Sequence, residues 1–297
     1  MFGRERNHTM FIHLDTKSLI DLLEHGKPCS INRFDALLRS QNASLVVSWS
    51  NVWELADGIL RRCTKERSWE LFDQLELLPV RYSFYLRTVF LECCEALRCI
   101  QADSPFERPC PFTDRFEQVE EYSANCPRRS YDAQPLRDVV NSICKAVPQP
   151  LQRIRLAEPE LKKRLETMEN NYAKSRVDGI ANYLEASFSL LGLSGPRGGS
   201  KAISEIMCRD SQYCPAIQLL YSVWSQMYLN RVNITGGDML DSDAVACIPY
   251  TSFSTVDRRM YDYVGRAGHE LSINHRTHVF VHLADLLSAL ASQQRVP

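Results

Sequence analysis

No excess of charge, no long apolar run and no paired-cysteine motif marks this sequence, and each absence closes a class of function. Lysine plus arginine number 35 against 36 aspartate plus glutamate, a formal net charge of −1. No global basic field therefore announces a nucleic-acid binder, and any such binding needs a local basic patch. The apolar stretch near the N-terminus runs only from Met10 to Leu14, too short for a signal-peptide core. No stretch approaches the roughly 20 apolar residues of a membrane span, so a cytoplasmic location and no membrane are expected. None of the eleven cysteines stands in a C-x-x-C pair, which removes the usual support for zinc-ribbon or thioredoxin-type chemistry. Cys93, Cys94, Cys99, Cys144 and Cys247 sit among apolar neighbours and read as reduced, buried thiols. Internal repeats and low-complexity tracts are absent. The glycine-containing SGPRGGSK at 194–201 lacks the G-K-[ST] ending of a phosphate loop and reads as a connector.

What is present is ordinary globular material. With 44% hydrophobic and 24% charged residues over 297 positions, the chain can bury one large core or two modest ones. The first segment reads strand, helix, helix, strand, helix. MFIHL at 10–14 is an apolar run ending in Asp15, followed by the helical pattern TKSLIDLLEHG with Leu19, Ile20, Leu22 and Leu23 on one side, stopped by Gly26 and Pro28. After INRFDALLRS comes the β-branched run SLVVSWS. It leads into the helix NVWELADGILRRC, which Ser50 or Asn51 is placed to cap. From about 65 to 232 long helical patterns dominate, joined by Pro-rich connectors such as DSPFERPCPFTD and KAVPQP. The last stretch returns to alternation: the short helix DMLDSDAVACIPY, the strand TSFSTV running up to Asp257, the helix RRMYDYVGRAG closed by glycine, the strand THVFVHL and the helix LADLLSALAS. Strands alternating with helices predict an α/β fold with a parallel sheet covered on both faces. The pattern predicts a split core, 1–65 with 233–297, carrying a large α-helical insertion at 66–232.

The acids concentrate where such a core keeps its chemistry. Asp15 and Asp257 follow strands, Glu54 lies one short turn after SLVVS, and Asp238 and Asp241 stand at i, i+3 on one helix face. Carboxylates gathered at one sheet edge repel one another unless a cation intervenes. An all-oxygen set suits Mg²⁺ or Mn²⁺, and such an ion can align water for in-line attack on a phosphodiester.

In FIHLDTKSLIDLL, SLVVSWSNVWELADGIL and GGDMLDSDAVACIPYTSFSTVDRRMYDYV, with its T-x-D, the sequence resembles the PIN-domain family of nucleases. The resemblance covers roughly the first and last 60 residues. It implies a PIN-like parallel sheet flanked by helices, and a metal-dependent endoribonuclease acting on RNA. Asp15, Glu54, Asp241 (or Asp238) and Asp257 would be its metal-site acids, with Mg²⁺ or Mn²⁺. Thr255 would orient the site, and Ser50 or Asn51 would be a supporting polar group ahead of Glu54. It further implies toxin-like or defence activity with an inhibitory protein partner, while the helical insertion would serve substrate selection or homo-oligomer contacts.

Each residue also has a plainer role. Asp15, Asp238 and Asp257 all precede helices and are natural N-caps. Glu54 could be a solvated helix residue paired with Arg61. Asp243, two residues from Asp241, points to another face. Arg258, Arg259 and Arg266, like Arg61, Arg62 and Lys65, could hold RNA phosphates or line a solvated helix face. His275, His278 and His282 form an H-x2-H-x3-H string, but THVFVHL reads as a strand that spreads them too far for one zinc ion. Two competing functions follow. One is a non-catalytic PIN-like scaffold that binds RNA or a protein through the helical block. The other, a haloacid-dehalogenase-like phosphatase with Asp15 as nucleophile, lacks its D-x-D, since residue 17 is lysine.

Overall fold

The computed structural model describes residues 9–25, 28–62, 65–114, 136, 140, 175–190, 199–230, 236–271 and 277–293. Five strands form one sheet: β1 (Met10–His13), β2 (Ala43–Ser48), β3 (Val80–Ser83), β4 (Phe253–Thr255) and β5 (His278–Phe280). Their order is β3-β2-β1-β4-β5, and every pairing is parallel. Parallel neighbours need long crossovers. Here α1 (Thr16–His25) and α2 (Ile31–Ser40) join β1 to β2, while α3 (Trp49–Arg62) and α4 (Lys65–Glu76) join β2 to β3. All six residues of β2 are buried, as expected of a strand covered on both faces.

Central β1 pairs with β2 on one side, from Met10↔Ala43 to His13↔Val46, and with β4 on the other, Ile12↔Phe253 and His13↔Ser254. Strands from the two ends of the chain therefore lie side by side. The direction of winding reverses between β1 and β4, and a sheet of this kind opens a crevice at the carboxyl ends of the strands on either side of that reversal.

β3 corrects the sequence reading, which placed 80–83 in a helical stretch. VRYS alternates apolar and polar residues over only four positions, and its strand state comes from register with β2, Leu45↔Val80 to Ser48↔Ser83. The outer edge of β3 is capped by a loop. Tyr82 and Thr113 exchange main-chain bonds of 2.9 and 3.0 Å in an antiparallel bridge, which removes an exposed edge.

Beyond β3 come α5 (Tyr85–Ala102), α6 (Arg176–Leu190), α7 (Gly199–Arg209), α8 (Pro215–Leu229) and α9 (Gly236–Cys247), then a 3₁₀ turn at Ile248–Tyr250, α10 (Arg258–Glu270) and α11 (Leu283–Gln293). Gly199 and Ser200, read from sequence as connector, open α7. Helix α10 runs through Gly265 and Gly268 and ends at Glu270, two residues past the glycine expected to close it. Among the described residues no helix is long and apolar enough to cross a membrane.

The sheet separates two cores. On one face Ile12, Leu45, Val47 and Phe253 pack against Leu19, Leu22, Phe34, Leu38, Phe72, Leu286 and Leu290. On the other, Val46 meets Phe112 and Cys247, while helices α5 to α10 gather around Val89, Ile180, Leu184, Ile203, Tyr221, Val245 and Val264. Each such side chain contributes about 1.5–3 kcal/mol on burial. Helices α6 and α8 approach closely at Gly179, where an added β-carbon would fall on the Tyr221 hydroxyl. A buried carboxylate ties the helices to the segment preceding β4. Glu92 on α5 accepts from the N–H groups of Ala216 (2.8 Å) and Ile217 (3.0 Å) at the start of α8 and from the Tyr250 hydroxyl (2.5 Å). Pro215, which has no N–H to satisfy, opens that helix. Burial pushes the Glu92 carboxyl up to about 7, opposed by these three bonds and by Arg108.

Candidate active site

The site starts where β1 stops. The Asp15 main-chain N–H donates to Thr255 Oγ1 (2.9 Å), and the Thr255 hydroxyl donates back to Asp15 Oδ1 (2.8 Å). This reciprocal clip joins residues 240 positions apart, and it exists because β1 and β4 are neighbours. The same Oδ1 accepts the Ser18 N–H at 3.2 Å, so Asp15 caps α1 while facing the carboxyl edge of the sheet.

At the end of β2 a second lock forms. Ser48 Oγ accepts the Asn51 N–H (3.2 Å) and Asn51 Oδ1 accepts the Ser48 N–H (2.9 Å), a reciprocal capping arrangement. The cap of α3 is therefore Ser48, not Ser50 or Asn51 as the sequence reading had it, because the helix begins at Trp49. Ser50 is buried with its Oγ 2.7 Å from that of Ser48. The Asn51 amide reaches across to the β1–α1 junction, donating to Leu14 O (3.2 Å) and Thr16 Oγ1 (3.1 Å). Thr16 in turn donates to Glu54 Oε2. Glu54, in the first turns of α3, is thus oriented by a residue of α1.

The remaining acids come from the far end of the chain. Asp238 lies within the first turn of α9, which begins at Gly236, so it is not the N-cap the double glycine suggested. It is buried and pairs with Arg259 on α10, Nη1 to Oδ1 3.0 Å. Asp241, one turn on along the same face, has its carboxyl pushed up to about 8. Burial is the main cause, and the carboxylates of Asp257, Glu54, Asp238 and Asp15 add to it in that order. Like charges raise a carboxyl in this way, and those acting on Asp241 come from both ends of the chain. Asp257 stands two residues beyond the end of β4, exposed, and caps α10 by accepting the Met260 N–H (2.5 Å). The side chain of Asp243 lies outside the described residues.

Carboxylate oxygens are the donors that suit a hard cation. Asp15, Glu54, Asp238 and Asp257 each give an oxygen to a protein donor. Among the described residues no group of three or more histidine, cysteine, aspartate or glutamate side chains converges as a ready metal cage.

Comparison with protein-family models, curated proteins and solved structures returns no match.

Several participants escaped the sequence reading. His13 is fully buried in β1 with Nδ1 3.1 Å from Ser254 Oγ. Burial drives its pKa down to about 4, against the pull of Asp15 and Asn51, so it is a neutral wall of the site at physiological pH. Thr16 and Ser48 are the other two, and their only sequence signal is adjacency to Asp15 and to the start of α3. Of the histidine string, His278 is exposed and stacks on Phe253 with centroids 5.4 Å apart. His282 is exposed in the turn after β5, and His275 lies outside the described residues. Arg258 and Arg266 are exposed on α10. The side chains of Arg61, Arg62 and Lys65 are outside the described residues.

Proposed function

We propose that this chain is a metal-dependent endoribonuclease of PIN-like architecture. It hydrolyses RNA phosphodiester bonds at the site of Asp15, Glu54, Asp241 and Asp257, with α-helices inserted between the two parts of the core. What supports this reading is that Asp241 is pushed up to about 8 by burial and by the carboxylates of Asp257, Glu54, Asp238 and Asp15, in a fold whose winding reverses between β1 and β4. Such charge crowding is costly in an unliganded fold and becomes useful when a cation shares it. Mg²⁺ or Mn²⁺ bound there would supply Lewis acidity toward the phosphate and a water of lowered pKa.

The chain's own groups then divide the work. With such an ion bound Asp241 would be ionised, and with Asp257 and Asp15 it would provide the oxygens that hold the ion. Asp15 is fixed by Thr255 through Oδ1, leaving Oδ2 for this role. Glu54, held at Oε2 by Thr16, would orient the attacking water. His13, neutral and buried beneath, adds no charge. A nuclease of this kind inside a cell needs restraint, which fits an inhibitory protein partner and toxin-like or defence activity. Purified chain with structured RNA and Mn²⁺ should cleave it, and Asp15→Asn or Asp257→Asn should abolish cleavage. A wild type that cuts neither RNA nor DNA with any divalent ion ends the enzyme reading.

One observation favours a second reading, a non-catalytic scaffold binding RNA or a protein through its helices. Asp15 and Asp257 cap helices and Asp238 pairs with Arg259, so three of the acids hold ordinary structural posts. Calorimetric titration with Mn²⁺ separates the two, since a scaffold shows no saturable binding that Asp257→Asn removes.

A further inference from the structure

We infer that Arg259 is an anion-binding residue of this site, seating a phosphate oxygen of an RNA backbone, and that Asp238 holds this arginine instead of ligating metal. The inference rests on the reading of the site as one that takes RNA. It starts from a half-used guanidinium. Arg259 Nη1 is engaged with Asp238 Oδ1 at 3.0 Å, whereas Nη2 is buried and makes no hydrogen bond among the described residues. The arginine side chain as a whole is 39% exposed and that of Asp238 only 5%. One prong of the fork is therefore anchored on a buried carboxylate, and the other is shielded from water with no acceptor. A buried donor without an acceptor is uncommon in folded proteins and calls for a missing partner. Guanidinium stays charged at any physiological pH and presents paired donors that match phosphate oxygens.

Position narrows the missing acceptor. Arg259 lies two residues beyond Asp257 on α10, and its carboxylate partner lies one turn before Asp241 on α9, so the two helix starts that carry those acids also carry the arginine and the aspartate that holds it. A lone anion would be repelled there. A phosphodiester brought in with a cation would not, because the cation faces the carboxylates and the phosphate oxygen faces the arginine. The same arrangement settles the i, i+3 ambiguity of α9. Asp238 is neutralised by Arg259, and Asp241 is left as the acid that needs a cation.

The test uses full-length chain and two probes: a short fluorescein-labelled single-stranded RNA followed by anisotropy in Ca²⁺, and Mn²⁺ alone followed by calorimetry. Arg259→Gln should weaken RNA binding about tenfold, a usual loss for one charge-assisted phosphate contact. It should also flatten the salt dependence by about one charge and leave saturable Mn²⁺ binding in place. Asp238→Asn should show the same RNA defect and also keep Mn²⁺ binding, and the double variant should be no worse than either single one. Asp241→Asn should lose Mn²⁺ binding. If Arg259→Gln does not fold, Asp238→Asn carries the test by the same two readouts, since it leaves the arginine present but unheld. The inference is overturned by wild type that binds no RNA, by Arg259→Gln binding RNA as wild type does, or by Asp238→Asn losing Mn²⁺ binding as Asp241→Asn does. Arginine-dependent RNA binding by a chain that cleaves nothing would sink the nuclease reading alone. Cleavage with arginine-independent binding would sink this inference alone.

Discussion

Replacing Asp241 with asparagine should stabilise the cation-free protein at alkaline pH while destroying its function. The native carboxyl is raised from 3.8 to about 8, whereas the unfolded chain ionises it near 3.9. Between those values the folded state holds a proton that the unfolded state has lost, so this group's contribution is fully present below about pH 4 and is lost as pH rises to about 8. At 1.36 kcal/mol per unit the whole shift corresponds to roughly 6 kcal/mol as an upper bound. Asp241 is partly accessible, and solvent screening brings a realistic figure to about 1–3 kcal/mol. Asparagine removes the charge and can donate to the surrounding carboxylates. In EDTA at pH 8 the variant should therefore melt a few degrees above wild type, at about 2–4 °C per kcal/mol, and the gap should close near pH 5. Excess Mn²⁺ should stabilise wild type, by about 2.7 kcal/mol at a hundredfold over Kd, and leave the variant unmoved. Thermal melts across pH 5–9 with and without Mn²⁺ give all of these values. A variant that melts below wild type at pH 8 in EDTA, or an unchanged pH slope, would refute the crowded-carboxylate account.

Thr255→Val keeps the shape of the side chain and removes both arms of the clip to Asp15. It should cost about 1 kcal/mol of stability but lower RNA cleavage at least about tenfold, with Thr255→Ser recovering most of it in the same assay. Glu92→Gln turns an acceptor toward two N–H groups and a hydroxyl into a partial donor, and should cost about 1–3 kcal/mol in denaturant unfolding. Because the Glu92 carboxyl is raised to about 7 from 4.5, its contribution to wild-type stability declines as pH rises across that interval, a decline the glutamine variant should lack. Gly179→Ala should destabilise by about 1–3 kcal/mol through the clash with Tyr221. Much of that loss should vanish when measured against Tyr221→Phe, which removes the hydroxyl the new β-carbon meets.

Much of the site was legible from local pattern. An apolar run ending at Asp15, a β-branched run followed by a helix with Glu54, and T-x-D before α10 are short-range features, and strand and helix periods are written in short-range order. VRYS was not legible, because its strand state is conferred by the ladder to β2 and not by four residues of composition. The role of Asp238 was misread for a similar reason. Two glycines before it signal a cap, but its partner is Arg259, a helix away. Glu92 gave no sign of itself within α5, since the donors it satisfies belong to α8 and to the turn before β4.

The sequence by itself determined an α/β chain with acids stationed after its strands, since apolar period and residue type carry that much. Only the tertiary structure decided that β1 and β4 lie side by side, that Asp15 and Thr255 clasp each other, and that Asp241 is buried and raised by carboxylates from both ends of the chain. Strand order and burial set the distances between charges, and the energy of a charge depends on those distances and on exclusion of water, neither of which a linear pattern encodes.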